Sequence, residues 1–249
     1  MSDVVLIHAG VADARMWEPQ LRSFAPPHRV VAPDLPGFGR TPLGTDVVDN
    51  RAFIRSVLDA QGMERAALVG TSLGARVAVE LALESPERVS ALVLVGPGLD
   101  GHEWSEQVQA FGAEEEQALE RGDLEGAIEA NLRLWLAGPR RSLDAIDPDI
   151  RDRVAAMQRR AFELQKNSNA RMALLEPPAS SRLADVRAPT LVLTGDEDVP
   201  DIHEIADKLA AEIPGAERAT IADAAHLPNL ERPREFDRIV LAFLAEHGV

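Results

Sequence analysis

Short apolar runs, mostly β-branched, recur along the chain and alternate with stretches whose apolar positions repeat every three to four residues. The runs cover residues 4–8, 29–33, 66–70, 91–95, 190–194 and 218–221. They are apolar at successive positions rather than alternate ones, which predicts strands buried on both faces, as in a parallel sheet covered by helices. Alternation with helical patterns predicts βαβ units. The expected fold is therefore α/β, a doubly wound, mostly parallel six-stranded sheet with order 2-1-3-4-5-6.

The rhythm breaks once. Between Pro97 and about Ala188 no strand pattern is found, and helical patterns at 103–121, 124–137, 148–166 and 170–175 fill the interval. Asp123 and Asp147 stand where N-caps belong, and Gly122 and Gly138 where helices stop. This predicts a helical lid, residues 97–187, inserted after the fourth strand of a core built from residues 1–96 and 188–249. Its apolar faces carry Trp104, Phe111, Leu132, Trp135, Met157, Phe162 and Met172. Most are expected to pack against the core, and two or three to line a pocket.

Composition narrows the class. Of 249 residues, 45% are apolar and 27% charged, as in a folded globule. Lys and Arg number 26 against 41 Asp and Glu, a net charge of -15 that disfavours nucleic acid and anionic membrane surfaces as partners. Cysteine is absent, which excludes disulfides, thiolate nucleophiles and Cys-ligated metals; tyrosine is absent too, so no phenol serves as acid or base. No His, Asp or Glu spacing resembles a zinc motif, and no metal or other cofactor is expected. The opening residues lack a basic leader followed by a long apolar stretch, and the longest apolar runs are strand-sized. The expectation is a soluble cytoplasmic protein without membrane partners; the oligomeric state is left open.

The third strand ends in Gly70-Thr71-Ser72-Leu73-Gly74, and a helical pattern follows. In G-x-S-x-G at a strand-to-helix turn, the serine projects above the sheet while the flanking glycines leave room for a sharp backbone. A serine hydroxyl needs a base, and the base an orienting group. Asp198 follows the fifth strand and His226 the sixth; in a parallel sheet these ends share one edge with Ser72. Asp100, after the fourth strand, is the runner-up acid; Asp196 is read as capping its turn and Asp34 as shaping a loop. His8 is read as bracing the loop after the first strand, and the remaining four histidines (His28, His102, His203, His247) as surface residues. The Gly10 and Leu73 amides are expected to form an oxyanion hole. Gly96-Pro97-Gly98-Leu99-Asp100-Gly101 spells G-x-G-x-x-G, but the next strand lies about ninety residues on; its glycines are read as hinge and linker, not as a dinucleotide site.

Four signatures in this order carry a resemblance: His8-Ala9-Gly10, Asp34-Leu35-Pro36-Gly37-Phe38-Gly39, Gly70-x-Ser72-x-Gly74, and His226-x-Pro228 with Glu231-x-Pro233. Over essentially its whole length the chain resembles the α/β-hydrolase superfamily. Within it the Asp34–Gly39 stretch is similar to carrier-protein methyl esterases, and Met16-Trp17-x-Pro19-Gln20 to enol-lactonases. The resemblance implies a serine triad acting on a small ester or lactone, without cofactor. Non-turnover ligand binding, and C–C hydrolase or lyase chemistry on the same triad, are the alternatives. Members usually carry two further strands before the His-Gly strand, hence the expected six. Ala9 and Ala75 stand where the family has glycines. Leu227 follows the histidine where hydroxynitrile lyases of this fold carry lysine and ring-cleavage-product hydrolases often carry tryptophan, which disfavours both.

Overall fold

The computed structural model describes residues 2–44, 46–166 and 168–249. Its strands are β1 (Ser2–Ile7), β2 (His28–Val31), β3 (Val47–Val48), β4 (Ala66–Thr71), β5 (Val89–Val95), β6 (Arg171–Met172), β7 (Thr190–Gly195) and β8 (Glu217–Ile221). Six of them form one sheet in the order β2-β1-β4-β5-β7-β8, every pair parallel. This is the order expected from the chain pattern. The helices are α1 (Glu18–Phe24), α2 (Asn50–Ala60), α3 (Leu73–Glu84), α4 (Glu106–Glu120), α5 (Leu124–Asn131), α6 (Pro148–Gln165), α7 (Pro200–Glu212), α8 (Pro228–Glu231) and α9 (Pro233–Glu246). None among the described residues is long and apolar enough to cross a membrane.

Successive strand residues point to opposite faces, and each face has its own core. Val5 and Ile7 pack with Ile54 and Leu58 of α2 and Ile202 and Leu209 of α7. Val4 and Leu6 pack with Phe24 of α1 and Phe236 and Val240 of α9. β4 and β7 are buried along their full length, which explains their unbroken apolar runs, whereas the edge strands β2 and β8 are partly open.

Between β5 and β7 the chain is mainly helical. Asp123 caps α5 through Gly126 N at 2.9 Å, and Asp147 caps α6 through Asp149 N at 2.8 Å, as their positions suggested. Two features differ from expectation. Residues 170–175 are not helical: Arg171 and Met172 form β6, which pairs in parallel with Val47 and Val48 of β3. The β-branched pair at 47–48 offers a strand edge, and so short a segment gains more from that ladder than from an isolated helical turn. The helix expected over 124–137 also changes character midway, with Leu132–Ala137 wound as a π-helix.

Candidate active site

All five chemistry-bearing positions expected from the sequence lie past the same ends of the parallel strands. Ser72 joins β4 to α3 with φ 54° and ψ −110°. Left-handed backbone at a non-glycine residue costs about 1–3 kcal/mol and persists only where the surroundings impose it. They do so sterically: a Cβ at Gly70 would collide with the Gly74 carbonyl, and one at Gly74 with the Ile7 carbonyl. Ser72 N is further held by Val95 O at 2.9 Å.

Asp198 and His226 meet. His226 Nδ1 donates to Asp198 Oδ2 at 2.8 Å, and Asp198 Oδ1 accepts from Val199 N at 2.8 Å. Both side chains are fully enclosed, at 1% and 0% exposure. With Nδ1 committed to the carboxylate, Nε2 is the nitrogen left to accept a proton. Gly96 makes this pair possible: a Cβ there would sit 3.0 Å from His226 Nδ1 and 3.3 Å from Asp198 Oδ2. The first glycine of the G-x-G-x-x-G string, read from the chain as hinge or linker, also forms the floor under the Asp198–His226 pair. Val95 and Gly96 also join the two halves of the site, since Val95 O holds Ser72 N and Gly96 faces the imidazole. Among the described residues, Ser72 Oγ has no hydrogen-bond partner. Catalytic hydrogen bonds of this kind are often long before substrate binds.

Gly10 lies against Leu73, where a Cβ on the glycine would be 3.9 Å from Leu73 Cβ. Leu73 opens α3, so its N–H belongs to the first turn and is not used by the helix. The loop bearing Gly10 is braced by His8, whose Nδ1 donates to Ala9 O at 2.8 Å and whose Nε2 accepts from Leu35 N at 2.9 Å. Burial pushes the His8 pKa below the usual histidine value, which keeps this bracing tautomer neutral.

The rivals are engaged elsewhere. Asp100 faces Arg76 at 3.3 Å, and Asp34 accepts from Ala14 N at 2.8 Å and Arg40 N at 3.0 Å, as a loop organiser would. Asp196 does not cap its turn; its Oδ1 is buried without a partner. One of the four histidines expected at the surface, His28, is buried and bound to Ser2 Oγ at 2.7 Å, and His102 is half-buried, edge-on to Trp104 and 3.6 Å from Asp201.

Trp135, expected only as one of several apolar residues on the helical segment, neighbours the site. The ring of Trp135 lies 4.5 Å from that of His226, and Trp135 O accepts from His226 N at 3.2 Å. Trp104 and Phe111 abut Trp135 edge-on. The available signal was the alternation of Leu132, Leu134 and Leu136, all buried, which does not fit a 3.6-residue repeat. A cleft of about 620 Å³ opens beside Leu73, with Phe38, Leu43, Val48, Leu124, Phe162 and Met172 among its apolar walls. Glu115 lines it too; burial raises its carboxyl pKa, opposed by the hydrogen bond from Asn131.

A profile described as the alpha/beta hydrolase family matches residues 4–239. The chain is 29% identical to a 2-hydroxy-6-oxononadienedioate/2-hydroxy-6-oxononatrienedioate hydrolase of Comamonas testosteroni, across 97% of this chain and 87% of the relative. It is 25% identical to the carboxylesterase YbfK of Bacillus subtilis, across 97% and 79%. Among solved structures it is similar to an N-acyl homoserine lactone degrading enzyme, with a TM-score of 0.75, 26% identity and coverage of 98% and 93%. Strand order, strained elbow and a match spanning nearly the whole chain agree, and the chain belongs to the alpha/beta hydrolase family.

Proposed function

We propose that this protein is a serine hydrolase that cleaves a small carboxylic ester or lactone through an acyl-enzyme on Ser72. The observation that carries the reading is the enclosed Asp198–His226 hydrogen bond at the rim that also bears the Ser72 elbow. His226 Nε2 takes the hydroxyl proton as Ser72 Oγ attacks the carbonyl carbon. Asp198 fixes the tautomer and stabilises the imidazolium. The Gly10 and Leu73 amides receive the developing oxyanion; one such donor is worth about 10²–10³ in rate. The imidazolium then protonates the leaving alkoxide. Water attacks the acyl carbon, gives a proton to His226, and the carboxylic acid leaves with Ser72 restored. Every step draws on side chains and amides of this chain, so no cofactor is required.

Residues 97–187 act in this reading as a lid on the core formed by 1–96 and 188–249. Two observations support it: Trp135 rests on His226, and Phe162 and Met172 line a cleft together with Leu73. The apolar walls suit a substrate with an apolar acyl or alcohol portion.

A second reading is hydrolysis of a carbon–carbon bond by the same three residues, favoured by the likeness to the Comamonas testosteroni hydrolase. Turnover of p-nitrophenyl esters, simple lactones and a 2-hydroxy-6-oxodienoate in ¹⁸O-water separates the two. The proposal expects sustained ester or lactone turnover with one ¹⁸O in the released acid. Turnover of the dienoate alone would transfer the chemistry to the second reading. A single stoichiometric burst would mark a binding relative that does not turn over.

A further inference from the structure

Arg141 makes contacts that a simple surface ion pair would not need. Its Nε donates to Ala137 O at 2.8 Å and one terminal nitrogen to Leu136 O at 2.9 Å, closing the end of the π-helix that carries Trp135. Its other terminal nitrogen reaches Glu231 Oε2 at 2.7 Å and Asp223 O at 3.3 Å, both in the stretch around His226. Glu231 spends its second oxygen on Ala225 N at 2.8 Å, the amide just before His226. The His226 amide is held by Trp135 O. These bonds form a ring, running from the π-helix through Arg141 and Glu231 to Ala225, on to His226, and back to Trp135. The pair is enclosed, with side-chain exposures of 18% and 5%. Buried charges of this kind are tolerated when further hydrogen bonds satisfy them, and only a planar guanidinium fork can serve acceptors in so many directions. The neighbouring Arg140 treats the acid loop alike, donating to Glu197 Oε2 at 2.9 Å and Asp196 O at 2.6 Å. Asp223 adds a reason for restraint, since it is one of the two non-glycine residues with positive φ among those described.

We propose that Arg141 and Glu231 are positioning residues for the catalytic base: they lock the His226 loop to the π-helix and so hold the imidazole between Asp198 and the Trp135 ring. The inference rests on the triad reading above. It accounts for the bonds that tie both the loop of His226 and its amide to the π-helix. It also gives Glu231, of the stretch following the histidine, a task of its own.

The test uses the full chain, with p-nitrophenyl acetate as substrate and the imidazole Nδ1 proton of His226 observed by NMR. Glu231→Ala and Arg141→Met are expected to lower kcat by about tenfold to hundredfold, the range that small misplacements of reacting groups cost, with KM within about twofold. The Nδ1 proton signal should broaden or vanish in both. Glu231→Gln keeps one acceptor oxygen for two donors, Ala225 N and Arg141, so it should fall between wild type and Glu231→Ala in both kcat and the signal. Arg141→Lys lacks the fork and should behave like Arg141→Met. Should Glu231→Ala fail to fold, Arg141→Lys and Glu231→Gln carry the comparison. Folded Arg141 variants with wild-type kcat and an unchanged Nδ1 signal would overturn the proposal. A loss in KM alone would do the same. A wild-type protein without turnover would instead count against the triad reading, and the NMR signal would still decide whether the ring holds the imidazole.

Discussion

The two halves of the candidate site are built by opposite means. Ser72 is held by backbone: Gly70 against Gly74, Gly74 against Ile7, the Val95 carbonyl on its amide, and a strained φ. His226 is held by side chains from far along the chain. Asp198 is 28 positions away, Glu231 pairs with Arg141 across 90, and Trp135 approaches from the segment between β5 and β7. The proposed nucleophile is set by backbone packing between strands and helix, and the proposed base by side chains. Movement of the helical segment would thus disturb the base before the nucleophile.

Substitutions should separate the halves by size and kind of effect. Asp198→Asn strikes the base where its tautomer is set. By analogy with other triads it should lower kcat about 10⁴-fold with little change in stability, measured by steady-state kinetics beside thermal unfolding. Gly74→Ala strikes the nucleophile side, and there the first effect is on folding. The added methyl meets the Ile7 carbonyl, and overpacking of this kind costs about 1–3 kcal/mol. At this chain length that lowers Tm by about 2–4 °C per kcal/mol. A Gly74→Ala protein with wild-type Tm would show that the close approach does not hold the elbow. Trp135→Ala removes the ring over His226, a contact worth about 0.5–1.5 kcal/mol. It should lower kcat several-fold, and slow fluorophosphonate labelling of Ser72 by a similar factor, because both depend on His226. An unchanged kcat would show that the ring does not hold the imidazole.

The smallest effect concerns the brace beneath Gly10. The folded protein holds His8 neutral with a lowered pKa, so below about pH 6.5 the unfolded chain binds more protons than the folded one. Stability from this residue is complete above that pH and is lost as the pH falls. The buried carboxyls of Glu80, Glu115 and Glu231, whose pKa values are raised, act in the opposite sense at lower pH. The prediction is therefore differential. Between pH 7 and 5 wild-type Tm should fall more steeply than that of His8→Gln, and parallel curves would contradict the assignment of a buried neutral imidazole.

The same division explains what could be read from the chain. The strands and their two-sided burial follow from apolar runs whose successive residues feed two cores, Val4 and Leu6 into one, Val5 and Ile7 into the other, and their order from the strand count and the place of Ser72. The elbow was legible because its serine and two glycines stand within five residues, although Gly74 packs against Ile7 and Ser72 N is held by Val95. Capping by Asp123 and Asp147 is likewise a local interaction. What escaped depends on partners that no local pattern specifies. Arg171 and Met172 form a strand only because Val47 and Val48 lie beside them. Gly96 looked like loop punctuation, yet its lack of a side chain serves His226 and Asp198, more than a hundred positions downstream. His28, apparently polar and exposed at a strand start, is covered by Ser2 from the neighbouring strand. Arg141 and Glu231 look like two more surface charges until the fold brings them together.

The most direct test of the account is covalent. An alkyl fluorophosphonate should label the protein once, with the adduct on the peptide containing Ser72, and both Ser72→Ala and His226→Ala should abolish labelling while remaining folded. Labelling at another residue, or full labelling of the His226→Ala protein, would contradict a nucleophile at Ser72 activated by His226.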